Sequence, residues 1–244
     1  MLGGRGRRGR AFTLLTPENH YPSRLPGLPG ARVFKLATPR LAPARFAEYL
    51  VELPSAARSH PIAPGFEHFL FGLDGAPAVG LGDGALELGD GGFAYLPATV
   101  GFELHGGPDG PARVLWLKRR YESWPGIAAP PALGGHRRAL VPAPTAVPGL
   151  HRTELLAPED PGFDFNMTLM SFDPGVGLAQ IEIHDEEHGL YMTAGGGVYT
   201  LQRDEHEVTA GDFIYMAPYC PQGFVSGPAG AEYLLYKDVF RDGF

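Results

Sequence analysis

The chain repeats itself, and that restricts its fold more than any other feature. The segment starting at Glu67, EHFLFGLDGAPAV, aligns with the one starting at Glu187, EHGLYMTAGGGVY, at an offset of 120. His68 then matches His188, and Gly75 matches Gly195. Further on, Gly89-Asp90 with Phe93, Tyr95 and Pro97 recurs as Gly211-Asp212 with Tyr215 and Pro218. Apolar strands ending at Lys118 and Lys237 follow. Features in the same order in both halves of a 244-residue chain require two units of similar build.

Within each copy, runs of four to eight β-branched and aromatic residues are bounded by Gly, Asp and Pro at short spacing. The chain holds 35 glycines and 25 prolines, spread between the apolar runs, so they read as turns between many strands. The expected class is all-β, with two tandem jelly-roll-type barrels. RFAEYLVEL, from Arg45 to Leu53, fits a helix or a strand by periodicity, and its counterpart NMTLMSF, from Asn166, decides for a strand. The expected boundaries are a disordered basic tail over 1–10, a first barrel over 11–124, a linker over 125–149 and a second barrel over 150–244. The linker assignment rests on Pro130, Pro131, Pro142, Pro144 and Pro148, which cannot build a central strand.

The formal charge of −7 argues against a nucleic-acid partner, which would need a basic face. No apolar run approaches the ~18 residues of a membrane helix, so no membrane partner is expected. The single cysteine, Cys220, cannot form an internal disulfide, and a reducing compartment, the cytoplasm, fits it. Arg5, Arg7, Arg8 and Arg10 alternate with small residues and lack the apolar stretch of a secretory signal; a short organellar transit peptide is the other reading of them.

The chemistry concentrates in QIEIHDEEHGLYM, where Glu182, His184 and His188 stand as E-x-H-x3-H. In extended chain, side chains two apart share a face, so Glu182 and His184 enter the barrel together, and His188 returns to the same point after a turn. One carboxylate and two imidazoles form a facial set that holds a divalent first-row metal and leaves positions open for substrate. The competing reading is a solvated, charged hairpin. Cys220 lacks a local histidine partner and reads as a packed residue rather than a nucleophile.

Gly211-Asp212 followed by Ala217-Pro218, with a ligand candidate a few residues later, resembles the second half of the cupin metal motif. The E-x-H-x3-H segment resembles the first half. Cupins usually have histidine at the first and last ligand positions, where this chain has Glu182 and Gln222. With APYCPQGF from Ala217 and YLLYKD from Tyr233, that departure resembles the (S)-ureidoglycine aminohydrolases of allantoin degradation. The resemblance spans both halves and is sharpest from Gln180 to Arg241.

The resemblance implies a bicupin with manganese in the second barrel only, held by Glu182, His184, His188 and Gln222. A neutral amide oxygen in place of an imidazole favours a hard octahedral ion, with iron(II) or another divalent ion as the alternative. It implies a small-molecule substrate bearing a carboxylate, an amine and a ureido group on one carbon, with ammonia released. Tyr199, Tyr233 and Lys237 match the family's substrate-contacting positions; Tyr233 and Lys237 alternate onto one face of YLLYK and are the candidate catalytic pair. In the first copy Ile62 and Pro64 replace Glu182 and His184, and neither Val100 nor Gly101 can replace Gln222, so no metal is expected there. The resemblance also implies a homo-oligomer. Two other functions compete: a metal-dependent cupin dioxygenase or isomerase, and a non-catalytic metabolite-binding bicupin.

Overall fold

A computed structural model of the chain describes residues 4–41, 43–82, 84–239 and 241. The protein is all-β, and its residues divide into two compact units, Tyr21–Ala139 and Met1–His20 with Leu140–Phe244.

In the Tyr21–Ala139 unit, an antiparallel sheet has seven strands among the described residues. Their order is Leu133–His136, Gly92–Leu96, Glu67–Asp74, Ala112–Arg119, Phe46–Leu53, Arg32–Ala37 and Pro22–Ser23. A smaller sheet joins Glu103–His105, Ala78–Leu81 and Gly84–Glu87. Phe46–Leu53 is a strand, and its alternation puts Ala47, Tyr49, Val51 and Leu53 into one core with Leu70, Val79 and Trp116. Burying a Leu- or Val-sized side chain in such a core contributes about 1.5–3 kcal/mol.

The other unit has nine strands in one sheet among the described residues, ordered Arg7–Arg8, Phe12–Leu15, Phe213–Met216, His188–Leu201, Gln222–Asp238, Phe165–Phe172, Leu150–Leu156 and Ala143–Pro144, with Asp204–Thr209 on His188–Leu201. The long strands His188–Leu201 and Gln222–Asp238 pair over nearly their whole length, with register breaks after Met192 and Gly195. The bend there needs glycine: Gly195 has φ of 63° and a Cβ on it would lie 2.1 Å from the Gly230 carbonyl oxygen. Its repeat partner Gly75 has φ of 73°, and a Cβ there would meet Ala112 at 2.7 Å.

The register carries the repeat further than the sequence does. His68 stands opposite Lys118, and His188 opposite Lys237. Ala47 and Asn166 flank those lysines on the other side. Ile62 bridges Phe102 as Glu182 bridges Gln222, so the first-copy counterpart of Gln222 is Phe102 rather than Val100 or Gly101.

Two expected boundaries move. Arg7–Arg8 pairs with Thr13 and Leu14, and Phe12–Leu15 in turn pairs with Phe213–Met216, so the described part of the basic tail is not disordered. Electrostatics explains it: the Asp212 carboxylate is fully buried, and the Arg5 guanidinium grips it with two hydrogen bonds of 2.6 and 2.9 Å. Residues 1–3 lie outside the described part. The proline-rich 125–149 stretch also contains strands: Leu133–His136 pairs with Gly92–Leu96, and Ala143–Pro144 with Leu150–Leu156. Pro144 is tolerated because its strand is the last of its sheet, where a missing N–H breaks no ladder.

Candidate active site and metal centre

Glu182 and His184 do not lie in a regular strand. Glu182 makes a single antiparallel bridge to Gln222, with backbone hydrogen bonds of 2.8 and 3.0 Å, and the His184 carbonyl accepts the Tyr219 N–H at 2.7 Å. The extended backbone keeps the expected alternation even so. Ile181 and Ile183 are 51% and 61% exposed, while Glu182 and His184 line a cavity of about 320 Å³. His188 starts its strand between Met216 and Lys237, and Gln222 opens the partner strand. Tyr199, Tyr233 and Lys237 line the same cavity, so all seven sequence-selected residues meet in one place.

Gln222 is central to the cluster. Its amide nitrogen lies 3.1 Å from both His184 Nε2 and His188 Nδ1, and its Oε1 accepts a hydrogen bond from the Tyr199 hydroxyl at 3.2 Å. The two imidazole centroids are 4.6 Å apart. His188 is buried, and burial, with His184 and Lys237 nearby, pushes its pKa down to about 3. It is therefore neutral, the form that binds a metal, and its Nε2 is buried without a partner. Burial also raises both phenols, Tyr199 well above its ordinary value, so each hydroxyl stays protonated and can donate.

The donor chemistry fits a hard divalent ion. Ligands at about 2.0–2.2 Å from one ion in octahedral array are roughly 3 Å apart, close to the spacing of the Gln222 amide from both rings. Two adjustments are needed. A half-turn of the amide brings its oxygen toward the imidazoles, and the Tyr199 hydroxyl can then accept from the amide nitrogen. Glu182, with its side chain 42% exposed and Oε2 3.9 Å from His184 Nε2, must swing inward. Accordingly, among the described residues no three His, Cys, Asp or Glu side chains already close around one point.

Glu186 lies between His184 and His188, in the segment read from the sequence only as a turn. Its carboxylate lies 2.8 Å from His184 Nδ1 and 2.9 Å from Lys237 Nζ, joining a ligand candidate to the catalytic candidate. Burial pushes its pKa up, but the Lys237 hydrogen bond and charge outweigh that and hold it below its ordinary value. The only available signal was its position two residues after His184. Arg152, Glu154, Asn166 and Thr168 also line the cavity and were missed, because nothing local in the sequence links them to the motif.

In the first copy, aromatic side chains occupy the equivalent volume. Trp116 Nε1 donates to His68 Nδ1 at 3.0 Å, and Phe102 lies 4.9 Å from the His68 ring. Cys220 is buried in the core of its own unit, with its thiol pKa raised by burial, as a packed cysteine should be.

No family model matches the chain. The (S)-ureidoglycine aminohydrolase of Escherichia coli strain K12 is 32% identical over 237 residues, covering 95% of this chain and 89% of that protein. The (S)-ureidoglycine aminohydrolase of Arabidopsis thaliana is 31% identical over 242 residues, covering 96% and 77%. The chain belongs to the (S)-ureidoglycine aminohydrolase family. The crystal structure of the E. coli protein YlbA is similar across 97% of this chain and 96% of that one, at 30% identity and a TM-score of 0.84. In this family member the polar cavity lies in the unit containing Gln222.

Proposed function

We propose that the protein is a manganese-dependent hydrolase that converts (S)-ureidoglycine and water to (S)-ureidoglycolate and ammonia, in the degradation of allantoin. One observation carries the reading: the Gln222 amide lies against the His184 and His188 imidazoles in a cavity lined also by Glu182, Lys237 and two protonated phenols. Glu182, His184, His188 and Gln222 would hold the ion, which when bound fixes and polarises polar groups of the substrate.

The chain's own side chains do the rest. The Glu186 carboxylate lies 2.8 Å from His184 Nδ1, and its charge against that nitrogen keeps Nε2 toward the cavity. Tyr199 steadies the Gln222 amide. Tyr233, fully within the core, offers a hydroxyl to the substrate from the strand that also carries Lys237. Lys237, whose Nζ is 2.9 Å from the Glu186 carboxylate, pairs with the substrate carboxylate and gives a proton to the departing amine in this reading. Removing that proton donor should lower kcat, whereas removing a purely binding contact should raise KM.

The test is elemental analysis of the purified protein together with an ammonia assay on freshly generated ureidoglycine. One manganese per chain with ammonia release supports the reading. Oxygen uptake without ammonia would replace it with an oxygenase, and neither signal would leave a binding protein. The same reading carries a homo-oligomer, and light scattering at the 26.2 kDa monomer mass over a wide concentration range would remove that part.

A further inference from the structure

We infer that Glu154, Asn166 and Thr168, with Arg152 at the rim, form a subsite for a ureido group, on the cavity wall contributed by the strands Leu150–Leu156 and Phe165–Phe172. The inference rests on the reading that the substrate is a ureido acid.

Three observations lead to it. The wall is polar at three positions where the first copy is apolar, while Glu154 takes the register place of the exposed Lys35. Register places Val33, Ala47 and Tyr49 of the first copy at the positions of Arg152, Asn166 and Thr168, and all three are buried in that unit's core. Polarity at Arg152, Asn166 and Thr168 therefore accompanies the ligand set and is not required to build the sheet, and Glu154 stands with them where the first copy turns a lysine to solvent. Next, Glu154 is already oriented: the Thr168 hydroxyl donates to its Oε2 at 2.7 Å, and Arg152 Nε stands 3.5 Å from its Oε1. Finally, the Asn166 Oδ1 is buried with no partner, an arrangement that costs free energy unless something donates to it.

The wall therefore offers acceptors, with one guanidinium beside them. A ureido group is the complement, since it presents several N–H donors and one carbonyl oxygen. The substrate carboxylate cannot sit there, because Glu154 repels it. It belongs toward Lys237, and the cavity thereby fixes which end of the molecule points where. A volume of about 320 Å³ accommodates a small ureido acid.

The test is calorimetric titration of the metal-loaded protein with N-carbamoylglycine, which has both the carboxylate and the ureido group but no amine to lose. Glycolate, which lacks the ureido group, is the control. Wild type should bind N-carbamoylglycine more tightly than glycolate. Glu154→Met should weaken N-carbamoylglycine by about tenfold to a hundredfold, as expected for losing an acceptor that carries charge, and leave glycolate within twofold. Glu154→Gln, which keeps the volume and one acceptor, should fall between. Equal weakening of both ligands, weakening of neither, or no preference in wild type would overturn the subsite. Turnover is measured separately: wild type that releases no ammonia from ureidoglycine yet shows the ligand discrimination would refute the proposed reaction and leave the subsite standing.

Discussion

Replacing Glu186 by glutamine tests whether the site is assembled as described. The side chain keeps its volume and an oxygen near His184 Nδ1, but loses the charge that now lies 2.8 Å from His184 and 2.9 Å from Lys237. A hydrogen bond to a charged group contributes about 1.5–3 kcal/mol, and carboxylates that orient metal-binding histidines are typically worth 10–100-fold in metal affinity. Glu186 is 26% exposed in its side chain, so solvent screening reduces the effect, and the retained acceptor reduces it further. About a tenfold weaker manganese affinity is the expected outcome, equal to roughly 1.4 kcal/mol. The assay is titration of metal-free protein with manganese, reading the free ion by electron paramagnetic resonance, with thermal unfolding measured alongside. An affinity within twofold of wild type would refute the claim that Glu186 holds the ring. A large fall in melting temperature would show instead that the carboxylate only supports the fold.

Lys237→Met should lower kcat by ~10²-fold or more while manganese content stays intact if the ammonium transfers a proton, and unaltered kcat and KM would return the lysine to a solvated strand end. Arg5→Ala should destabilise the unit that holds the active site by about 2–3 kcal/mol, because it leaves the buried Asp212 without its countercharge; that is less than a fully buried pair, as Arg5 is 35% exposed, and urea unfolding measures it. Glu48 is buried and burial pushes its pKa up to about 8, so the folded state keeps a proton that the unfolded chain gives up near 4.5. Stability is therefore full below about pH 4.5 and falls as pH rises through about 8, by up to about 5 kcal/mol, and Glu48→Gln should remove that slope in urea unfolding at pH 5 and 8.

What could be read in the sequence depended on how far apart the interacting residues are. The His68/His188 match and the glycines that bend the long strands are local, and each copy checks the other. The pairing of Glu182 with His184 was legible because extended backbone alternates even where no ladder forms. The tail was misread because its partner, the buried Asp212, lies two hundred residues away. Arginine separated by small residues looks solvated until the carboxylate it neutralises is known. The linker was misread because proline excludes a central strand and leaves an edge strand open. Glu186 and the Arg152–Glu154 wall escaped for a related reason: a charge in a turn, or on an outer strand, shows its purpose only through contacts that folding creates.

The first copy allows the site's requirements to be separated from its ligands. Restoring the ligand types there takes Ile62→Glu, Pro64→His and Phe102→Gln, with His68 already present. Those changes should not produce a second metal site. Trp116 still donates to His68 Nδ1, and Tyr49 still packs on Trp116 with 5.7 Å between ring centres, so the coordinating nitrogen and the space beside it stay occupied. Burial with Lys118 nearby pushes the His68 pKa down to about 3, so protonation is not the obstacle; access is. Leu235 stands at the Trp116 position in the other unit, and Trp116→Leu added to the triple variant should open the volume, at a cost of about 3–5 kcal/mol in packing. Elemental analysis of the folded protein decides it. One ion per chain in the triple variant and more than one after Trp116→Leu is the expected result, while a second ion in the triple variant alone would show that ligand identity, and not the aromatic filling, decides whether the first copy can hold a metal.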